Sequence, residues 1–85
     1  MINKAVEMTQ DTRPLDTVPA GRTVKIVLID AGSGLKNRLA AMGLLANGLI
    51  RVIRNDRAGQ IIVHVKESKV ILGRGMSHKV FVTEA

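Results

Sequence analysis

The fold is decided by residues 32–48, GSGLKNRLAAMGLLANG, which predict one short helix. Long apolar side chains recur in this stretch at helical spacing and therefore share one face, namely Leu35, Leu39 and Met42. The hydroxyl of Ser33 is expected to cap the helix, because it can accept one of the free N–H groups of the first turn. We therefore predict a helix whose apolar face packs against the rest of the chain.

The end of this helix is marked by Gly43, since only glycine enters a left-handed conformation without steric cost. Leu44 follows, and a Schellman-type end would fold it back onto Leu39. Asn47-Gly48 is a turn dipeptide that opens the next strand. The helix is therefore predicted to act as a lid on a small sheet.

Five short strands are predicted around the helix, at residues 23–29, 49–55, 60–66, 69–72 and 79–82. Alternation in the first strand places Val24, Ile26 and Leu28 on one face, with Val27 and Ile29 on the other. Strands this short leave exposed edges unless the sheet curves and closes. We therefore predict a mainly β fold with one short α-helix, a small SH3-like, partly open barrel of about five antiparallel strands.

The chain before the first strand divides at Pro14. Residues 1–13 are polar and aperiodic, and we predict a flexible N-terminal tail there, followed by one domain over 14–85. Asp16 is expected to cap a turn. Leu15 and Val18 would then be available to fill one end of the barrel.

The amino-acid composition limits the classes of protein to which the chain can belong. The chain has 85 residues, no cysteine and a single aromatic side chain, Phe81, so it forms neither disulfides nor thiolate metal sites. No apolar run is long enough to span a membrane, and the first residues lack the apolar centre of a signal peptide. The formal net charge of +6 favours an acidic partner, such as nucleic acid, an anionic membrane surface or an acidic protein, although spread basic residues also serve solubility.

Several segments, in order, resemble the FeoA family of small proteins from bacterial ferrous iron uptake. Residues 39–44 (LAAMGL) with Asn47-Gly48 are similar to the family's RLxxMGLxxG segment, and the resemblance extends over residues 14–83. Asn47, Ile71 and Ser77 depart from the commoner residues without disturbing the pattern. The resemblance implies an SH3-like barrel, a cytoplasmic location and a membrane partner, FeoB, which carries a cytosolic GTPase domain and an iron permease. FeoA domains also resemble the C-terminal SH3-like domain of iron-dependent repressors, so the fold alone does not set the function.

The residues that could act in catalysis or bind a metal ion are scattered along the sequence. The two histidines, His64 and His78, are not at ligand spacing, and no serine has a recognisable base beside it. The stretch Gly32–Gly34 before the helix is a short turn without the lysine of a P-loop, so a nucleotide would belong to the partner. We predict no catalytic residue, no metal site and no cofactor, and therefore not an enzyme.

Six residues are candidates for partner binding, because they combine basic groups with apolar side chains that have no evident internal partner: Lys36, Arg38, Leu45, Arg54, Arg57 and Ile62. Leu45 could instead cover one end of the barrel. The favoured hypothesis is a non-catalytic accessory protein that binds FeoB. The alternatives are a basic nucleic-acid-binding module, which lacks the stacked aromatic residues of single-strand binders, and a detached repressor-type domain that binds metal or a peptide. The oligomeric state is not predicted.

Overall fold

Six strands and two helices make up the part of the chain that the computed structural model describes, residues 12–56 and 59–85. The strands are β1 (Arg13–Pro14), β2 (Thr23–Ile29), β3 (Leu49–Asn55), β4 (Gln60–Val65), β5 (Ser68–Gly73) and β6 (Val80–Glu84). The helices are α1 (Ser33–Ala41) and α2 (Arg74–Ser77), and a 3₁₀ turn spans Leu15–Thr17.

The strands form one antiparallel sheet in the order β1-β6-β2-β3-β4-β5. This confirms the predicted mainly β, partly open fold. The predicted strands correspond to β2–β6, and the first two match the observed bounds. The additional strand β1 pairs with β6, and Arg13 and Arg22 both donate to Oε2 of Glu84, at 2.9 and 3.0 Å.

A β-bulge in β2 reverses part of the predicted side-chain alternation. The register with β6 shifts between Ile26 and Leu28, so one extra residue lies on the β2 side. As a result Ile29 is buried with Val24 and Ile26, whereas Leu28 is 46% exposed. The prediction that Leu28 shares a face with Val24 and Ile26 was wrong, because strict alternation holds only where no bulge intervenes.

The core consists of aliphatic side chains from the inner face of the sheet and from the segments that cover its ends. Leu15 and Val18 are fully buried, as predicted for residues that fill one end of the barrel. The helix contributes less than its apolar pattern suggests: Leu39 is fully buried, whereas Leu35 and Met42 are only partly buried against the core. Most of the core is therefore supplied by the strands.

Helix α1 ends in the predicted Schellman turn but does not begin with the predicted cap. The Gly43 N–H donates to the carbonyl of Ala40 and the Leu44 N–H to that of Leu39, both at 2.9 Å. At the other end Gly32 is the N-cap residue, and no side chain caps the helix. The prediction for Ser33 was wrong because Ser33 is itself the first helical residue, one position too late to cap.

The 3₁₀ turn also lacks the predicted side-chain cap from Asp16. Instead, Thr17 Oγ1 donates to the carbonyl of Pro14 at 2.7 Å. The predicted tail lies outside the described residues except for Thr12 and Arg13, and Arg13 belongs to β1. The candidate Arg57 also lies outside the described residues. The domain limits remain a prediction.

Candidate partner-binding surface

A surface depression of about 300 Å³ lies between α1, the end of β2 and the chain that follows the helix; we call it the α1–β2 groove. The lining residues that matter here are Leu28, Lys36, Ala40, Leu44 and Leu45. Leu44 is fully buried and forms the floor, whereas Leu28 and Leu45 are 46% and 54% exposed. The groove is thus an apolar surface that water reaches, with one lysine among its lining residues.

The exposure of Leu45 follows from how the helix ends. The Schellman turn directs Leu44 into the core, and the next residue leaves it. A tight turn then returns the chain to the sheet: the Gly48 N–H donates to the carbonyl of Leu45 at 3.0 Å, with Asn47 in the left-handed region at φ 72°. The carbonyl of Ile26 accepts from Asn47 at 2.7 Å, so main-chain hydrogen bonds hold Leu45 in place.

Leu28 reaches the same groove because of the bulge in β2. It lies opposite Phe81 of β6, which is half-buried. Sequence reasoning missed Leu28, since regular alternation placed it on the same face as Val24 and Ile26, which are buried. The signal that could have found it is the run Val27-Leu28-Ile29, three apolar residues in succession where only two positions can face inward.

The structure places four of the predicted partner-binding residues in two separate depressions. Lys36 and Leu45 both line the α1–β2 groove. Arg54 and Ile62 are a cross-strand pair of β3 and β4, and they line a second depression of about 170 Å³. Arg38 is exposed on α1 and lines neither. The five candidates within the described residues therefore do not form one continuous site.

The two histidines belong to different elements and have different neighbours. His64 is exposed on β4, between Arg51 and Lys69 of the neighbouring strands. His78 follows α2, and its Nδ1 lies 3.1 Å from the carbonyl oxygen of Arg74. Across residues 12–56 and 59–85, no three His, Cys, Asp or Glu side chains are grouped in a way that could hold a metal ion. In the same part of the chain, no helix combines the length and apolar character that crossing a membrane requires.

The fold and the order of its segments can be compared with known proteins. The model of the FeoA domain matches residues 13–84. The chain belongs to the FeoA family. A FeoA-family relative from Methanocaldococcus jannaschii, named "Putative Fe(2+) transport protein A", is 38% identical over 72 residues, which are 85% of this chain and 87% of the relative. The resemblance inferred from the sequence is thereby confirmed.

Two solved structures show how far the likeness extends. The crystal structure of an iron uptake regulatory protein (FeoA) superposes with a TM-score of 0.82 at 27% identity, covering 87% of this chain and 99% of that protein. A manganese-dependent transcriptional repressor in complex with manganese gives a TM-score of 0.80 at 24% identity, covering 87% of this chain but 37% of the repressor. At 24% identity the second match shows that the two proteins share a fold, and it does not show a shared function.

Proposed function

We propose that this FeoA-family chain is a non-catalytic accessory protein of ferrous iron uptake, which acts in the cytoplasm by binding a FeoB-type membrane transporter. Family membership supports the transport role, and the name of the Methanocaldococcus jannaschii relative refers to Fe(2+) transport. The partner supplies the GTPase and the iron pathway, and this chain supports or regulates its activity through contact.

The observation that carries this proposal is the pair of exposed leucines in the α1–β2 groove. Leu28 and Leu45 are about half exposed and line one depression, whose floor is closed by the buried Leu44. Exposed apolar side chains gathered in a concave, preformed site are typical of protein interfaces, where a few such residues carry most of the binding energy. Lys36 beside them would add charge-dependent selectivity at the rim.

The hydrogen bonds around this groove support a preformed site. The segment that carries Leu45 is held by main-chain bonds to β2, and the helix that carries Lys36 ends in a closed Schellman turn. A site that is ordered before binding loses less conformational freedom on association, so more of the contact energy appears as affinity. The groove is therefore the surface on which we expect FeoB to dock.

The test is a titration of this protein against the purified cytosolic GTPase region of FeoB from the same organism, with GDP and with a non-hydrolysable GTP analogue. We expect saturable binding that Leu45→Asp weakens by about tenfold or more, since a carboxylate would be desolvated against an apolar partner. Leu49→Asp is the matched control, because Leu49 is 58% exposed on β3 and does not line the groove. It should change affinity by less than about threefold.

Nucleotide dependence would separate two kinds of accessory role. Binding that differs between GDP and the GTP analogue would identify a regulator of the GTPase cycle, whereas equal binding would identify a scaffold. Equal weakening by Leu45→Asp and Leu49→Asp would contradict the groove as the docking site. Absence of binding to both the isolated GTPase region and detergent-solubilised full-length FeoB would contradict the proposed function itself.

A further inference from the structure

A row of basic side chains crosses the outer face of the sheet away from the α1–β2 groove. Arg51 of β3 is the cross-strand partner of His64 of β4, and His64 is the partner of Lys69 of β5. All three are exposed, and they line one shallow depression of about 370 Å³. Neighbouring strands lie about 4.8 Å apart, so the backbones of Arg51 and Lys69 are about 10 Å apart.

This row has no acidic counterpart within the described residues. Neither Arg51 nor Lys69 has a carboxylate within 4.0 Å there, whereas Arg13 and Arg22 both pair with Glu84. Arg51 and Lys69 lie on either side of His64, so two positive charges share this face, and their mutual repulsion is weak at a separation of about 10 Å. An anionic ligand would remove this repulsion.

Apolar side chains form a second row beside the basic one. Ile62 of β4 and Ile71 of β5 are cross-strand partners, two residues along their strands from His64 and Lys69. Ile71 is 57% exposed and Ile62 is half-buried. On β3 the partner of Ile62 is Arg54, and the bulge residue Ile53, which is 39% exposed, precedes Arg54. The two rows are thus parallel and about 7 Å apart.

We propose that this sheet face, defined by Arg51, Ile53, Ile62, His64, Lys69 and Ile71, binds an acidic amphipathic helix of a protein partner. A helix lying across the strands advances about 10.5 Å in seven residues, which matches the separation of Arg51 and Lys69. Its apolar side chains at i and i+4 would cover Ile62 and Ile71, while carboxylates on the adjoining stripe would meet the basic row. This is a second surface, and it shares no lining residue with the α1–β2 groove.

The apolar row is what favours a protein helix over nucleic acid. Interfaces with DNA are polar and strongly basic, and a phosphate backbone offers nothing for exposed isoleucines to cover. Binding of single strands would need stacked aromatic residues, and the chain's one aromatic side chain, Phe81, is half-buried on β6. An acidic amphipathic helix would complement both the basic row and the apolar row.

The test uses the full chain and two synthetic peptides at physiological ionic strength. One peptide carries glutamates on one stripe of a helix and leucines on the adjoining stripe; the other has the same glutamates with serine in place of each leucine. We expect the first to bind at least about tenfold more tightly than the second. Lys69→Glu should weaken binding of the first peptide by about tenfold, whereas Arg38→Glu, an equal charge change on α1, should alter it by less than about threefold.

Ile71→Ser completes the test, because it removes apolar contact while leaving the charge unchanged. It should weaken the leucine-containing peptide and leave the serine-containing peptide unaffected. Equal weakening by Lys69→Glu and Arg38→Glu, or equal affinity for the two peptides, would overturn the proposal. Tighter binding to a DNA duplex, with a steep fall in affinity as salt rises, would also overturn it and assign the face to nucleic acid. Failure to bind the leucine-containing peptide would overturn it as well.

Discussion

Gly43, at the end of α1, lies so close to Val65 of β4 that a methyl group on Gly43 would be 2.9 Å from Cγ1 of Val65. Gly43 also has a φ of 93°, a conformation that side chains disfavour. The absence of a side chain at this position therefore meets two separate requirements, a left-handed helix end and close packing against the sheet. The same turn directs Leu44 inward and leaves Leu45 exposed in the groove.

Gly43→Ala is expected to lower the free energy of unfolding by about 2–3 kcal/mol, since it combines backbone strain with overpacking against a buried valine. Chemical denaturation monitored by circular dichroism would measure it. Adding Val65→Ala should remove only the packing part of the loss, which a double-mutant cycle would isolate. Gly34→Ala is the matched control: nothing lies within 4 Å of a methyl group there, and it should be neutral or slightly stabilising. Equal effects of the two glycine substitutions would contradict this account.

Ser77→Ala is expected to raise the free energy of unfolding by about 1 kcal/mol. Ser77 is 1% exposed, and its hydroxyl has no hydrogen-bond partner among residues 12–56 and 59–85, so we expect an uncompensated desolvation penalty in the folded state. Removing the oxygen removes that penalty with little change in volume. Ser68→Ala on the exposed start of β5 is the control and should change stability by less than about 0.5 kcal/mol. A loss of stability in Ser77→Ala would show that the hydroxyl is satisfied, for instance by water.

Asn55 joins the β3–β4 hairpin to the 3₁₀ turn, and its removal is expected to be costly. Its Nδ2 donates to the carbonyls of Asp16 and Val18, at 2.9 and 2.8 Å. Asn55→Ala would leave two acceptors unpaired and should lower the free energy of unfolding by about 2 kcal/mol. Asn55→Asp should lower it further, because a carboxylate cannot donate and would face two carbonyl oxygens. Asn37→Asp on the exposed face of α1 tests whether the charge alone is responsible, and we expect it to be nearly neutral.

The parts of the fold that the sequence predicted are those governed by local patterns. Gly43 and Leu44 gave the helix end, because a Schellman turn is specified by a few adjacent residues. Alternation gave the bounds of β2 and β3, since period-two burial is a short-range signal. The predictions for Ser33 and Asp16 failed, although both are residue types that commonly cap helices. Ser33 lies one position after the N-cap, and no side chain caps the 3₁₀ turn that contains Asp16.

The candidate surface was harder to predict from the sequence, because it depends on contacts between segments that are distant in the chain. The bulge before Leu28 is set by the pairing of β2 with β6, more than fifty residues later. The row formed by Arg51, His64 and Lys69 depends on the register of three strands, which no local pattern determines. Leu45 was named from the sequence as a residue without an internal partner, whereas regular alternation grouped Leu28, which lines the same groove, with Val24 and Ile26.

Lys66→Gly and Glu67→Gly are expected to change stability in opposite directions, although the two residues form one turn. They connect β4 to β5 in a two-residue hairpin loop closed by the pairing of Val65 with Ser68. Lys66 has a φ of 57°, whereas Glu67 is not among the residues with positive φ. Glycine at position 66 should raise the free energy of unfolding by up to about 1 kcal/mol, because it removes the steric cost of the left-handed conformation.

Glycine at position 67 should instead lower the free energy of unfolding by about 0.5–1 kcal/mol, since it relieves no strain in the folded state and adds freedom to the unfolded chain. Lys66→Asn should lie between wild type and Lys66→Gly, because asparagine tolerates the left-handed region better than lysine does. Urea denaturation of the three variants would establish the order. Stabilisation by both glycine substitutions would mean that the strain lies in the loop as a whole and not at Lys66.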